Sequence, residues 1–363
     1  MHTLYIVGAG CSKNYSDGET DVPGLESPLD SDFFKMAKKV ISNKGVEPEL
    51  EDSLNLFLDR LYEIYESPPP FERTEPFSIR NGHDLAIFDD DRLSLESIMT
   101  MLNLESDIFT KPWSMFGYDE GGNGSLNDLA LGGLVELIAV TIAEALRGQP
   151  CSKHRRLADL MQANDIVFSY NYDILMDNAL RQCKKLTDKG YLLDFFKVFN
   201  GIDWEEPENG ISEVTILKLH GSLNWIRCSY CGSTFLLRFQ KAGAWTTFPK
   251  ECPRCKRREF LRRLLIPPLL NKNYADRDMN FLWLEARRLL QVVRKIVIIG
   301  YSLPPTDFAS ETLLSTGFPW GIRRNIPVII VNPDRKKNLK EHFSKIFSPG
   351  KITMIENLED FLR

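Results

Sequence analysis

Residues Leu4-Tyr5-Ile6-Val7-Gly8-Ala9-Gly10-Cys11-Ser12 decide how the chain is read. Four apolar residues in succession have the character of a strand buried on both faces, and the glycines that follow end it in a turn. Four later stretches share that character: Ile166–Ser169, Val214–Leu219, Ile296–Ile299 and Val328–Val331. Between several of them, apolar residues recur at helical spacing, over Leu157–Ala163, Leu175–Lys185 and Leu282–Val293. Strands alternating with helices imply an α/β fold built on a Rossmann-like parallel sheet with right-handed crossovers.

The stretch of roughly 150 residues between the first strand and Ile166 is too long for one crossover. Phe33–Ser42, Leu50–Tyr65, Leu93–Leu104 and Leu126–Arg147 each carry apolar residues three and four apart, so a helical insertion is expected. Pro68-Pro69-Pro70 stops one of its helices, and the glycine-rich, acidic Gly117–Gly124 reads as an exposed loop. The expected organisation is therefore a first strand and glycine turn (1–24), a helical insertion (25–150), a segment that returns to the parallel sheet (151–225), a four-cysteine module (226–257) and the remainder of the sheet domain (258–363).

The chain has 363 residues, 43% of them hydrophobic, enough for a large core. A net charge of −5 provides no global field toward nucleic acid or an anionic membrane, and direct nucleic-acid binding is not expected. The basic stretch Lys256–Arg263 reads as solvated surface, with a nucleic-acid contact as the minor alternative. No apolar run reaches the ~18 residues that span a bilayer. Seven cysteines, four of them in CxxC pairs, fit metal binding in a reducing, cytoplasmic setting better than a disulfide framework. Cys151 and Cys183 read as packing residues.

Cys228-x2-Cys231 and Cys252-x2-Cys255 enclose 20 residues. This spacing suits a structural zinc, whose four thiolates close the coordination sphere and leave no open position for chemistry. Gly8-Ala9-Gly10 after a strand is either a tight turn or a loop that lets the backbone approach a pyrophosphate; Lys13 stands where a full dinucleotide fingerprint has its third glycine. Asn171 and Asp173 follow a strand end, where ligands bind in open α/β sheets. Taken locally, both also suit a turn or a helix cap. His220 likewise follows a strand, and an imidazole there suits proton removal near neutral pH.

In their order along the chain, Gly8–Ser12, Phe168-Ser169-Tyr170-Asn171-Tyr172-Asp173, Leu219-His220-Gly221-Ser222, the four cysteines, Gly300-Tyr301-Ser302-Leu303 and Val331-Asn332-Pro333 resemble the NAD-binding catalytic domain of the sirtuin superfamily. The resemblance covers residues 1–24 and about 151–335. It implies that Gly8, Ala9, Gly10, Cys11, Ser12, Gly300, Ser302 and Asn332 bind NAD, with Ser12 on a phosphate. It further implies that Asn171 holds a water or ribose hydroxyl at the reacting carbon, that Asp173 accepts from the nicotinamide carboxamide, and that His220 is the general base.

Two departures set the chain apart from the protein-deacylating members. The Asp-Phe-Arg that follows their cofactor loop is absent after Asp21-Val22-Pro23. Their Phe-Gly-Glu segment is replaced by Ile266-Pro267-Pro268-Leu269-Leu270-Asn271-Lys272-Asn273. The pattern, with Leu95-Glu96-Ser97-Ile98 in the helical insertion, is more similar to the sirtuin-like NAD hydrolases of prokaryotic antiviral defence that pair with a HerA-like ATPase. That resemblance implies NAD as substrate, a homo-oligomer and a regulated NAD-depleting role. The alternatives are an NAD-dependent lysine deacylase and a non-enzymatic ADP-ribose or nucleotide sensor.

Overall fold

The computed structural model describes residues 2–65, 77–105, 126–239, 249–258, 260–270, 272, 274, 276–333 and 338–363. Pro68-Pro69-Pro70, Gly117–Gly124, Asn271 and Asn273 lie outside them. The chain divides into two compact units. One comprises Met1–Glu19, Leu146–Ile266 and Asn273–Arg363; the other comprises Thr20–Ala145 and Pro267–Lys272.

In the first unit the strands are β1 (His2–Val7), β2 (Ile166–Ser169), β3 (Lys197–Phe199), β4 (Trp204–Glu205), β5 (Thr215–Lys218), β6 (Gly221–Cys228), β7 (Thr234–Leu237), β8 (Leu261–Leu265), β9 (Val293–Ile299), β10 (Val328–Val331) and β11 (Ile352–Ile355). Helices are numbered along the whole chain: α1 (Ala9–Ser12), α2 (Phe33–Lys44), α3 (Pro48–Tyr65), α4 (Leu95–Glu105), α5 (Leu126–Ala145), α6 (Ser152–Leu160), α7 (Leu175–Gln182), α8 (Arg277–Leu289), α9 (Phe308–Thr316), α10 (Leu339–Ser344) and α11 (Leu358–Phe361).

Six strands form a wholly parallel sheet in the order β11-β10-β9-β1-β2-β5. This is the expected Rossmann-like architecture, with helices between strands. The apolar runs are buried because both faces of a parallel sheet are covered: Leu4, Ile6, Val167, Phe168, Ile216, Val297 and Ile298 are fully enclosed. After β1 the chain builds outward through β2 and β5, then returns to the other side of β1 with β9, β10 and β11. That reversal at β1 creates a switch point, the place where open α/β sheets bind ligands.

Register does the rest. Val7 pairs with Ser169 and Ile299, Ser169 with Lys218, and Ile299 with Val331. The strands therefore stop at one level, and the residues just beyond them (Gly8, Asn171, His220, Gly300, Asn332) share the carboxyl edge of the sheet.

A second sheet, β4-β3-β7-β6-β8, is mostly antiparallel. Its β6 leaves directly from His220-Gly221 and runs to Cys228, joining the switch-point edge to the four cysteines. Phe199, Ile226, Phe235, Leu237 and Leu261 form a small separate core around Cys228 and Cys252.

The second unit is helical. α5 packs against α2, α3 and α4, with Leu134, Leu137, Ile138 and Ala139 fully buried. At Gly133 a Cβ would sit 2.7 Å from the Ser53 Cβ, so α3 and α5 approach at a distance only glycine permits. Pro267–Lys272 belongs to this unit: Leu270 N–H donates to Thr100 Oγ1 at 2.8 Å, and Lys272 Nζ lies 3.3 Å from Glu96 Oε1. Among the described residues no helix is long and apolar enough to cross a membrane.

Candidate active site

The first site element is the β1–α1 turn. Gly8 N–H donates to Ile299 O (3.0 Å), Gly10 N–H to Gly300 O (2.9 Å) and Cys11 N–H to Gly8 O (2.8 Å). The glycines act first on each other. A Cβ on Gly8 would lie 2.7 Å from Gly300 O, and one on Gly10 2.9 Å from Gly300 Cα. Gly300 has φ +62°, and its Cβ would come within 2.0 Å of Cys11 N. The turn after β1 and the turn after β9 are thus interlocked backbone against backbone. Gly300→Ala is expected to lower stability by about 2–5 kcal/mol, the sum of a left-handed penalty and overpacking against rigid backbone; urea unfolding measures it.

Asn171 is 8% exposed. Its Nδ2 donates to Gly8 O (3.1 Å) and to Ser12 Oγ (2.9 Å), and Ser12 Oγ donates onward to Asp173 Oδ2 (2.6 Å). The chain of bonds has one direction, because Gly8 O and the carboxylate only accept. It orients the Asn171 amide and leaves Oδ1 buried without a hydrogen-bond partner among the described residues. Ser12, the residue expected on a phosphate, is buried and joins Asn171 to Asp173. Asp173, expected on the carboxamide, also accepts from the N–H of Leu175, the first residue of α7, at 3.0 Å.

Under this loop lies Lys218, fully buried at the end of β5. Its Nζ donates to the Asp173 carbonyl and lies 3.3 Å from Asp177 Oδ2, whose other oxygen accepts from Tyr191 at 2.7 Å. A buried charge survives where it is paired and hydrogen-bonded, and here the arrangement fastens the Asn171–Asp173 loop to the neighbouring strand.

His220, 7% exposed, stands two residues beyond Lys218, as Asn171 stands two beyond the paired Ser169. Its carbonyl accepts from Ile266 N–H at 2.8 Å. The Tyr170 ring meets the imidazole edge-on at 5.1 Å and stacks on Tyr301 at 4.2 Å. Gly300 and Asn332 are at the same sheet edge, and Ser302 is exposed just beyond.

Two contributors were not legible in the sequence. Asp307, 3% exposed, places Oδ1 3.5 Å from His220 Nε2; its position after Pro304-Pro305 and before α9 signals only a helix start. His154 sits between two thiols, with Nε2 3.3 Å from Cys11 Sγ and Nδ1 3.0 Å from Cys151 Sγ. Burial pulls the His154 pKa down to about 4, so the ring is neutral, and burial with the nearby Asp173 carboxylate pushes the Cys11 thiol up. Cys11 therefore contributes backbone and an inert buried thiol. Within the Ser-Lys-His-Arg-Arg run of α6 nothing marks His154 as interior.

The four cysteine sulfurs lie within 4.8 Å of one another, with Cys228–Cys255 at 3.8 Å and Cys231–Cys252 at 3.7 Å. Tetrahedral thiolates at a Zn–S length of ~2.3 Å have sulfurs about 3.8 Å apart, so the donor set fits zinc. The two knuckles repeat one geometry. Gly232 N–H donates to Cys228 O and Lys256 N–H to Cys252 O, and Gly232 and Lys256 both have positive φ.

No family model matches the chain, and no curated protein matches it. Solved structures align along most of its length. A Sir2 homologue in complex with NAD covers 99% of this chain and 86% of its own at 13% identity, with a TM-score of 0.44. A mutant Sir2 homologue in complex with ADP-ribose covers 99% and 88% at 14% identity and 0.40. A mutant Sir2 with a p53 peptide and NAD covers 100% and 90% at 12% identity and 0.36. Superpositions this loose do not transfer an activity, and the functional reading rests on the site itself.

Proposed function

We propose that the chain cleaves the bond between nicotinamide and ribose in NAD and passes the ADP-ribosyl group to water, releasing nicotinamide and ADP-ribose. The observation that carries this reading is the buried, unpartnered Asn171 Oδ1 at the sheet's switch point, just past a strand whose paired neighbour leads to His220. A buried acceptor left without a partner costs about 1–3 kcal/mol, and a ligand hydroxyl or attacking water recovers it. Nicotinamide is a cationic leaving group, so no strong general acid is needed. The breaking bond leaves an oxocarbenium-like ribose, and the pocket's work is to orient the ring and the attacking oxygen. In this reading Asn171 holds the oxygen, His220 takes its proton, and Ser12 with Asp173 keeps Asn171 in place. Gly8, Ala9, Gly10, Cys11, Ser12, Gly300, Ser302 and Asn332 remain the proposed NAD contacts, with Asp173 on the nicotinamide carboxamide.

A second reading passes the ADP-ribosyl group to an acylated lysine. It is favoured by β8, which ends the second sheet and enters Ile266, the residue bonded to His220 O. An extended peptide adds to such an edge. The missing Phe-Gly-Glu and Asp-Phe-Arg segments support water instead. The antiviral role, a homo-oligomer and a HerA-like ATPase partner rest on the sequence resemblance alone.

Chromatography of NAD incubated with the purified chain, with and without an acyl-lysine peptide, separates the readings. Hydrolysis is expected to give nicotinamide and ADP-ribose in equal amounts without peptide. Turnover only with peptide assigns deacylation. ADP-ribose binding with no turnover under either condition makes the chain a sensor.

A further inference from the structure

Beyond the motif residues, one buried carboxylate lies 3.5 Å from the His220 imidazole. We propose that Asp307 is a positioning residue that holds His220 as the Nε2–H tautomer, leaving Nδ1 as the nitrogen that takes the proton. The inference rests on the reading of His220 as a general base.

The geometry that supports it comes from three elements. Asp307 Oδ1 lies 3.5 Å from His220 Nε2, while Oδ2 accepts from the Tyr301 hydroxyl at 2.8 Å. Tyr301 is itself held by its stack on Tyr170, whose ring edge meets His220. The carboxylate therefore has one oxygen tied down and the other beside the imidazole. An ionised carboxylate only accepts, so the ring nitrogen facing it is favoured with its hydrogen on. His220 Nε2 is a buried nitrogen that makes no hydrogen bond among the described residues, and the Asp307 carboxylate stands beside it at 3.5 Å.

The loop that delivers Asp307 is held from both ends. Asp307 N–H donates to Pro304 O at 2.9 Å, and Glu311 N–H donates to Asp307 O at 3.0 Å. Leu303 within it has φ +50°, a conformation that costs a non-glycine residue free energy and gathers at functional sites. Among the described residues, Tyr170, Tyr301 and Tyr274 are titratable groups around the pair. Burial raises the pKa of each, so all three are neutral and Asp307 is the charge that meets the imidazole.

When Nδ1 accepts a proton from the attacking oxygen, Nε2 keeps its own, and the cation faces Asp307. No proton passes to the carboxylate. This is the orienting role that an aspartate performs in a nucleophile–histidine–aspartate triad.

The test is the tautomer. Nitrogen-15 shifts of His220, assigned by comparison with His220→Ala, are read at a pH where the ring is neutral, in the native chain and in Asp307→Asn. The native ring is expected as Nε2–H. Asp307→Asn should shift it toward Nδ1–H and lower kcat for NAD by roughly 10²–10⁴-fold with KM changed less than threefold. Tyr301→Phe, which removes only the donor to Oδ2, should give an intermediate loss, and it serves if Asp307→Asn does not fold. A native Nδ1–H ring, or one tautomer unchanged across the native chain and both variants, overturns the proposal. The expected tautomer shift in a protein that does not cleave NAD leaves the hold of Asp307 on the His220 tautomer standing and overturns the hydrolase reading, and with it the role of Nδ1 in the reaction.

Discussion

Replacing His220 by Ala is expected to lower nicotinamide release from NAD by about 10²–10⁴-fold, the usual contribution of a positioned general base. Single-turnover release resolved by chromatography is the measurement. His220 is the cleanest residue for this experiment because its structural bonds run through its backbone: its carbonyl accepts from Ile266 N–H, and the following Gly221 begins β6. Truncating the ring removes its edge contact with Tyr170 and its proximity to Asp307 but no ladder bond. Asn171→Ala is less selective. It deletes the donor to Gly8 O and Ser12 Oγ, so a loss of activity there combines chemistry with loosening of the β1–α1 turn. A His220→Ala chain that binds ADP-ribose as the native chain does and releases nicotinamide at the native rate would remove the imidazole from the reaction.

The parallel sheet was readable because its strands are short apolar runs buried on both faces, each ending in residues that cannot continue a strand. Leu4–Val7 before Gly8 and Ile296–Ile299 before Gly300 show it best. The second sheet was not. In β6 the residues Ser222 and Asn224 are as buried as Leu223 and Trp225, and Arg263 of β8 is buried with Nη1 donating to Leu223 O at 2.6 Å. Polar residues satisfied inside a sheet remove the alternation by which a strand is recognised.

The same limit applies at the site. Asn171 and His220 each follow a strand end, but it was their place in the ordered, sirtuin-like set of motifs that singled them out. Asp307 was hidden because an aspartate ahead of a helix reads as a cap. Ser12 could be placed in the loop, but its work as a bridge between Asn171 and Asp173 depends on a contact spanning some 160 residues of chain. Pro267–Lys272 belongs to the helical unit through Leu270 and Lys272, a partnership no local pattern encodes.

Cys228→Ser and Cys252→Ser are each expected to abolish stoichiometric zinc and to remove the largest single contribution to the second sheet. Structural zinc sites contribute about 10–16 kcal/mol in isolated fingers at neutral pH, because the unfolded chain offers no preformed site. The magnitude matters here because the module's own apolar core is small. Cys228 and Cys252 are members of it, with Phe199, Ile226, Phe235, Leu237 and Leu261. Without metal, four thiols would share a volume that repulsion between thiolates or their own desolvation disfavours. Metal analysis of the purified chain should give one zinc per chain, and thermal unfolding of either variant should show an early transition absent from the native chain. The loss should reach the active site, since β6 runs from Gly221, next to His220, to Cys228, and β8 pairs with it at Gly221↔Leu265 and, after a register shift, from Ile226↔Arg263 to Cys228↔Leu261. NAD turnover should therefore fall in the cysteine variants even though no cysteine of the cluster touches substrate. A Cys252→Ser chain that unfolds at the same temperature as the zinc-loaded native chain would show that the metal contributes nothing to the stability of the second sheet.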